Sequence, residues 1–213
     1  MNKIIQDKLN NGRQYRNMVL EVREIKDNDS DYVVRGYATT FNEPYTLFGN
    51  DDYEVREQVS DKAFDECDMS DVIFQYDHCG RVFARLSNNT LSLDADEHGL
   101  LIEANLGGTE EGRKLYEEIK GGYTNKMSFG FTVDDDEILE STEGEKRVYL
   151  RTITKIGKLY DVSAVSLPAN DMTEISARAF CDGVIAEAEA ERLLKAEQER
   201  KRKVLELKLR IGD

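Results

Sequence analysis

Histidine is the side chain that most easily serves as a general base near neutral pH, and this chain has two of them, His78 and His98. His98 belongs to the charged segment DADEHG, where a solvated surface residue is the ordinary explanation. His78 ends the apolar segment VIFQYDH and precedes Cys79 and Gly80, so we expect it where a strand meets a turn. It is therefore either a candidate base or a packed structural histidine.

Ser128 is the most distinctive serine, because it lies in the apolar segment NKMSFGF. Strand alternation predicts Met127 and Phe129 on one face and Ser128 with Gly130 on the other. A hydroxyl beside a glycine leaves room for a substrate backbone. The alternative is a strand serine that only satisfies a neighbouring polar group. The absence of a GxSxG motif disfavours an α/β-hydrolase.

Asp161 lies in the apolar segment LYDVSAVSLPAND, and burying its carboxylate without a partner would be costly. An imidazole is one candidate partner. In that case His78, Ser128 and Asp161, in this order along the chain, would have the residue types of an acyl-transfer triad. A structural ion pair or backbone donors are the competing explanation.

Four residues whose side chains can bind metals or react as thiols lie near one another in the sequence: Cys67, Asp77, His78 and Cys79. Their spacing lacks the two ligand pairs of a zinc site, so we predict neither a metal nor a cofactor. A Cys79–His78 dyad is disfavoured because adjacent side chains on a strand point to opposite faces, although a turn at Gly80 could relax that geometry.

The elements that must position these residues are predicted to be mostly strands. Period-2 patterns occur at 18–22, 32–37, 55–59, 72–76, 82–86, 91–95, 100–106, 126–133, 147–153 and 159–167. The segment 94–99 predicts a hairpin turn, and the acidic run 134–137 predicts a solvated hairpin connection. Many short strands with few helices predict a mainly β, α+β fold whose strands close, or nearly close, into a barrel.

Two helices are expected within this body. Thr109 can cap a helix that runs to about Lys120 and is stopped by the glycine pair 121–122. Ser60 can cap a short helix through Phe64.

Three regions are predicted: a flexible N-terminal segment, 1–17, a β-rich domain, 18–180, and a charged helical tail, 181–213. Residues 182–213 contain eight acidic and eight basic side chains and are rich in helix formers. The apolar stripe of this tail is interrupted between Leu194 and Val204, which predicts a solvated or partner-dependent helix.

Composition excludes several classes of protein. With 39% hydrophobic and 34% charged residues, we expect a folded domain rather than a disordered chain. The formal charge of -14 repels phosphate and anionic lipid, which disfavours nucleic-acid and membrane partners. The sequence shows no signal peptide and no long apolar run, so we expect a non-secreted, cytosolic protein. It has an odd number of cysteines, three, and no CxxC pair, so we expect the thiols to be reduced.

In four segments the sequence resembles the prohead (capsid-maturation) proteases of tailed phages of the HK97 type, which are similar to the herpesvirus assembly protease. The segments are SDKAF (60–64), YDHCGRVFAR (76–85), GGYTNKMSFGF (121–131) and LYDVSAVSLPAN (159–170). The resemblance implies a β-barrel of about seven strands surrounded by helices. Two positions depart from the family: Cys79 stands where an acidic or polar residue is common, and Asp77 where Asn is frequent.

The resemblance implies a serine endopeptidase in which Ser128 is the nucleophile, His78 the general base and Asp161 the orienting acid. It also implies that backbone N–H groups of Ala169 and Asn170 stabilise the oxyanion. The substrates would be the major capsid protein, scaffold segments and the protease itself, inside the assembling procapsid in the host cytoplasm. A homodimer is one assembly state to consider. The alternatives are a catalytically silent, scaffold-binding assembly module and a hydrolase that uses Cys79.

Overall fold

The computed structural model describes residues 13–19, 32–166 and 174–211. Strands dominate this part of the chain, and two α-helices accompany them. The strands are β1 (Gln14–Val19), β2 (Val33–Thr40), β3 (Tyr45–Gly49), β4 (Tyr53–Val59), β5 (Ile73–Tyr76), β6 (Cys79–Arg85), β7 (Leu91–Ala95), β8 (Gly99–Asn105), β9 (Lys126–Glu143) and β10 (Lys146–Val165). The helices are α1 (Glu110–Lys120) and α2 (Glu174–Ile211), and Leu86–Asn88 form a short 3-10 turn. The predicted mainly β, α+β class is confirmed.

The larger sheet is organised around the antiparallel hairpin of β9 and β10. Strand β1 pairs with the other edge of β9. Strands β4 and β5 pair in parallel with the first and second halves of β10, while β3 extends β4 and β6 extends β5. This arrangement places β1, β9, β10 and β5 side by side at the end of the sheet where the candidate site residues lie.

Strands β2, β8 and β7 form a second, antiparallel sheet. An isolated bridge between Phe41 and Val59 links it to the larger sheet. A closed barrel would require two neighbours for every strand, but β1, β2, β3, β6 and β7 each have one strand partner in the described residues. The predicted barrel of about seven strands is therefore not confirmed, since the hydrogen bonds within 13–19 and 32–166 form two sheets.

The β9–β10 hairpin is longer than the sequence pattern indicates. The acidic run 134–137 lies within β9, so the prediction of a hairpin connection there is wrong. The chain reverses at Gly144, whose φ of 66° suits glycine. The acidic side chains fit a strand because this arm is solvated along one face, and Asp136 also pairs with Arg151. The strands predicted at 147–153 and 159–167 are joined in one bulged strand, β10, which ends at Val165.

Two predicted connections behave differently. The 94–99 hairpin is confirmed: the Asp96 carboxylate accepts the backbone N–H groups of His98 and Gly99. The short helix at Ser60 is wrong, because residues 61–66 form successive turns. The Ser60 hydroxyl accepts the N–H of Lys62 there, but each backbone bond spans three residues, so no α-helix propagates.

Helix α1 follows its prediction closely. The Thr109 hydroxyl accepts the N–H of Gly112 at 3.0 Å, and the helix ends at Lys120, followed by the C-cap Gly121 and by Gly122 with a φ of 74°. Its apolar face joins a core that lies between the two sheets. The inner face of β9 supplies Met127, Phe129 and Phe131 to the same core, which confirms the predicted strand alternation.

Helix α2 contacts the body through its first half. Val184 is 5% exposed and packs with Val55 and Tyr149 in a small second core cluster. Residues 192–203 are exposed, as predicted for a solvated helix. Among the described residues, no helix has the length and apolarity that a membrane span requires.

Candidate active site

His78 occupies the tip of the β5–β6 hairpin. Tyr76 pairs with Cys79, which leaves Asp77 and His78 as a two-residue turn with φ values of 49° and 54°. Positive φ at both central positions is the pattern of a type I′ turn, which usually employs Asn and Gly. The carboxylate of Asp77 accepts the N–H and the hydroxyl of Ser166 at the end of β10, so the hairpin tip is attached to that strand.

Ser128 lies on β9 between two neighbouring strands. It is in register with Ser163 on β10 and with Asn17 on β1. Its side chain is on the face opposite the core residues Met127 and Phe129, yet Ser128 is 0% exposed. The serine hydroxyl is therefore presented on the outer face of the sheet, beneath other side chains.

Asp161 lies on β10 opposite Gly130 of β9 and is 3% exposed. The Ser163 hydroxyl donates a hydrogen bond to Asp161 Oδ1 at 2.8 Å. Gly130 makes the space for this carboxylate, because a Cβ at that position would lie 2.4 Å from Asp161 Oδ2. The Asp161 carboxylate is thus held by a hydroxyl on its own strand, and the missing side chain of Gly130 on β9 makes room for it.

The imidazole of His78 joins the other two residues. Its Nδ1 lies 2.5 Å from Asp161 Oδ1, and its Nε2 lies 2.5 Å from Ser128 Oγ. In the tautomer that these neighbours favour, Nδ1–H donates to the carboxylate and Nε2 accepts the serine hydroxyl. An imidazole held in this way can take the hydroxyl proton when the oxygen attacks a carbonyl carbon.

The other sequence candidates lie elsewhere or are engaged differently. His98 packs its ring edge-on to Tyr37 in the second sheet. Cys79 is exposed, and its thiol contacts the carbonyl of Tyr76 at 3.8 Å. Burial raises the pKa of the Cys67 thiol to about 11, which disfavours the nucleophilic thiolate.

No group of three or more metal-ligating side chains occurs within 13–19, 32–166 and 174–211. Ala169 and Asn170 lie outside the described residues.

Two neighbours of the site were not identified from the sequence. Ser163 could have been, since it follows Asp161 by two residues on the same strand and must share its face. Tyr15 could not, because it reaches His78 from β1, with ring centroids 4.4 Å apart.

A buried charge network joins strands β1, β3, β4 and β10 of the sheet that carries this site. Glu57 is fully buried and receives hydrogen bonds from Arg16 on β1, Arg151 on β10 and Tyr45 on β3. Arg151 also pairs with Asp136. Burial alone would raise the pKa of Glu57, but the two guanidinium groups and the Tyr45 hydroxyl outweigh it and lower that pKa to about 2. The network attaches β1 to the rest of the sheet.

Ser128, His78 and Asp161 are hydrogen-bonded in series, and a hydroxyl, an imidazole and a carboxylate are arranged in this way in serine hydrolases. Comparison with known protein families matches residues 18–183 to the Caudovirus prohead serine protease family. Because the match covers most of the chain, this protein belongs to that family. No curated protein and no solved structure matches the chain.

Proposed function

We propose that this prohead-family serine protease is an HK97-type capsid-maturation endopeptidase that cleaves segments of the major capsid protein or scaffold, and itself. In this proposal Ser128 is the nucleophile, His78 the general base and Asp161 the orienting acid. The observation that carries it is the pair of 2.5 Å contacts from the two ring nitrogens of His78 to Ser128 and Asp161. Membership of the prohead protease family supports the substrate class and a site of action inside the procapsid, in the host cytoplasm.

The chemical steps follow from this geometry. Ser128 Oγ attacks the scissile carbonyl carbon while its proton passes to His78 Nε2, and Asp161 accepts the Nδ1–H and balances the imidazolium charge. The imidazolium then gives its proton to the leaving amine, so the peptide C–N bond breaks and an ester to Ser128 remains. Water, activated by the neutral imidazole, hydrolyses the ester and restores the serine hydroxyl.

Two finer features of the proposal rest on the family resemblance. Backbone N–H groups of Ala169 and Asn170 would donate to the oxyanion of the tetrahedral intermediate. The relationship to the herpesvirus assembly protease rests on the order of His78, Ser128 and Asp161 along the chain and on the sequences around them.

The decisive experiment is Ser128→Ala, tested by co-expression with the capsid protein of the same phage and intact-mass measurement of every product. We expect the variant to fold and to lose cleavage of itself and of the capsid protein by about 10⁴-fold or more, because a methyl group cannot attack the carbonyl. Ser141→Ala, at an exposed position of the same strand, is the matched control and should process normally.

The competing functions predict different results. A catalytically silent assembly module would show no processing in either the wild type or the variant. A cysteine hydrolase would lose activity with Cys79→Ser and keep it with Ser128→Ala. Under our proposal we expect the Cys79→Ser variant to remain active. In the described residues the exposed Cys79 thiol contacts the carbonyl of Tyr76 and forms no hydrogen bond with Ser128 or Asp161.

A further inference from the structure

The aromatic ring of Tyr15 lies against the imidazole of His78. The two ring centroids are 4.4 Å apart, and the ring planes are tilted by 59°. Tyr15 of β1 and Asp161 of β10 are both in register with Gly130 of β9. The side chain of Tyr15 therefore lies on the same face of the sheet as Ser128 and Asp161. The ring therefore packs on a histidine that the proposed mechanism requires to keep one orientation.

Gly130 shows how closely Tyr15 approaches the carboxylate as well. A Cβ built on Gly130 would lie 2.4 Å from Asp161 Oδ2 and 2.8 Å from Tyr15 Cε1. The carboxylate and the tyrosine ring thus share the space that any larger residue at position 130 would occupy. Tyr15 borders both partners of the His78–Asp161 hydrogen bond.

The next residue on β1 fixes the position of this ring. Arg16 points to the opposite face, where its Nε and one terminal nitrogen donate to the fully buried Glu57 at 2.5 and 3.0 Å. Arg151 donates to the same carboxylate at 2.7 Å. Removing one partner of such a buried pair would leave an uncompensated buried charge, so β1 is held firmly at Arg16.

Tyr15 lies outside the residues that match the family. The family match begins at residue 18. The sequence pattern likewise places residues 1–17 in a segment outside the protease domain. The contact with His78 is a feature of the tertiary structure alone.

We propose that Tyr15 is a positioning residue for the proteolytic reaction, and that β1 is consequently part of the active site. Its ring holds the imidazole in the orientation that reaches Ser128 and keeps water away from the His78–Asp161 contact. Excluding water strengthens that electrostatic contact, and small displacements of a reacting group are costly in rate. The inference rests on the proposed role of His78 as the general base.

The test compares Tyr15→Phe, Tyr15→Ile and wild type in the full chain, with a peptide that the wild type cleaves. Phenylalanine keeps the ring, so we expect kcat within about threefold of wild type. Isoleucine suits a strand but has no ring, and we expect kcat to fall by about 10- to 100-fold with KM changed less than threefold. Circular dichroism and thermal melting establish that each variant is folded.

The chain offers a matched control in a second tyrosine–histidine contact. Tyr37 packs against His98 with ring centroids 4.5 Å apart, in the other sheet. Tyr37→Phe and Tyr37→Ile should leave kcat unchanged. Because the chain has two histidines, the ring-proton NMR signals can be assigned with His98→Gln. Tyr15→Ile should move the His78 signals alone, and Tyr37→Ile the His98 signals alone.

The outcomes separate this inference from the proposed function. An unchanged kcat in Tyr15→Ile overturns the inference, as does an equal loss in Tyr15→Phe, which would assign the effect to the hydroxyl. A Tyr15→Ile protein that fails to fold also overturns it, because Tyr15 would then be a core residue. Cleavage by Ser128→Ala instead overturns the proposed function, while the NMR measurement still reports whether Tyr15 contacts His78.

Discussion

At the scale of single residues, His78 has a backbone conformation that its side chain does not favour. A non-glycine residue with positive φ is strained by about 1–3 kcal/mol, and both Asp77 and His78 are in this region. The hydrogen bonds from Ser166 to Asp77 and the contacts of the imidazole with Ser128 and Asp161 offset part of that cost. The tight turn brings the imidazole over the neighbouring strands, where it reaches both residues.

Asp161 gives a direct test of how the imidazole is oriented. Asp161→Asn should lower kcat by up to about 10⁴, because an amide in this position favours the wrong imidazole tautomer. The measurement is the cleavage rate of one peptide, with circular dichroism as the folding control. Asp94→Asn, at an exposed position of β7, is the matched control and should match wild type. If Asp161→Asn cleaves within a few-fold of wild type, Asp161 is a structural acid.

Gly130 is predicted to tolerate no side chain. Gly130→Ala places a methyl group 2.4 Å from Asp161 Oδ2 and 2.8 Å from Tyr15 Cε1, so the carboxylate or the ring must move. We expect at least a tenfold fall in kcat, since catalytic groups tolerate little displacement. Gly108→Ala, with no neighbour within 4 Å of its added Cβ, is the control. Equal rates for the two variants would contradict the tight packing at Gly130.

At the scale of elements, β1 is attached to the sheet by charge as well as by backbone pairing. Arg16 connects it to Glu57 on β4, and Arg151 connects Glu57 to β10. Among the described residues, these two guanidinium groups pair with the carboxylates of Glu57 and Asp136. Strands that are distant in sequence are thereby joined through one carboxylate.

This network predicts a specific dependence of stability on pH. The pKa of Glu57 is lowered to about 2 from an ordinary value near 4.5. A carboxylate whose pKa is lower in the folded than in the unfolded protein stabilises the fold at pH values above its unfolded-state pKa. This stabilisation is lost as the pH falls through the folded-state pKa. The free energy of unfolding, measured by urea titration, should therefore fall between about pH 4.5 and 2.

Glu57→Gln isolates the contribution of this carboxylate. It should lower the free energy of unfolding at pH 7 by about 3–5 kcal/mol and reduce the slope between pH 4.5 and 2. Glu103→Gln is the matched control, because Glu103 pairs with Arg35 on the surface, where such a pair contributes about 0–1 kcal/mol. A similar loss in both variants would show that the buried network has no special role in stability.

At the scale of the whole molecule, charge is distributed unevenly between residues 1–181 and residues 182–213. Because residues 182–213 carry equal numbers of acidic and basic side chains, the net charge of -14 belongs to residues 1–181. The exposed part of α2 includes the basic run 200–203. The tail therefore offers a basic surface that an acidic partner, such as a scaffold segment, could bind.

Two truncations distinguish the packed and exposed parts of α2. Removing 193–213 should leave the melting temperature within about 2 °C and the peptide cleavage rate unchanged, because the residues described there are exposed. Removing 184–213 also deletes Val184 and should cost at least about 1.5 kcal/mol, since Val55 and Tyr149 lose its contact. Both truncations should reduce incorporation into procapsids. Incorporation equal to the full chain would exclude recruitment by the tail.

The sequence by itself determined the features that depend on local periodicity and local capping. Alternation around Ser128 identified which side chains enter the core, and Thr109 with the glycine pair 121–122 gave both ends of α1. The motifs around His78, Ser128 and Asp161 also predicted the family. These features are readable because burial repeats every two residues in a strand, and because a cap satisfies backbone groups within one helical turn.

Only the tertiary structure decided which distant residues meet where the sequence carries no motif. The family resemblance grouped His78 with Ser128 and Asp161, which lie 50 and 83 residues away, but nothing in the sequence indicated that Arg16 reaches Glu57 across 41 residues. The contact of Tyr15 with His78 and the separation of the strands into two sheets have no local signal either. Periodicity reports which face of a strand is buried, but not which strand lies beside it. That choice depends on the summed packing and hydrogen bonding of segments far apart in the chain.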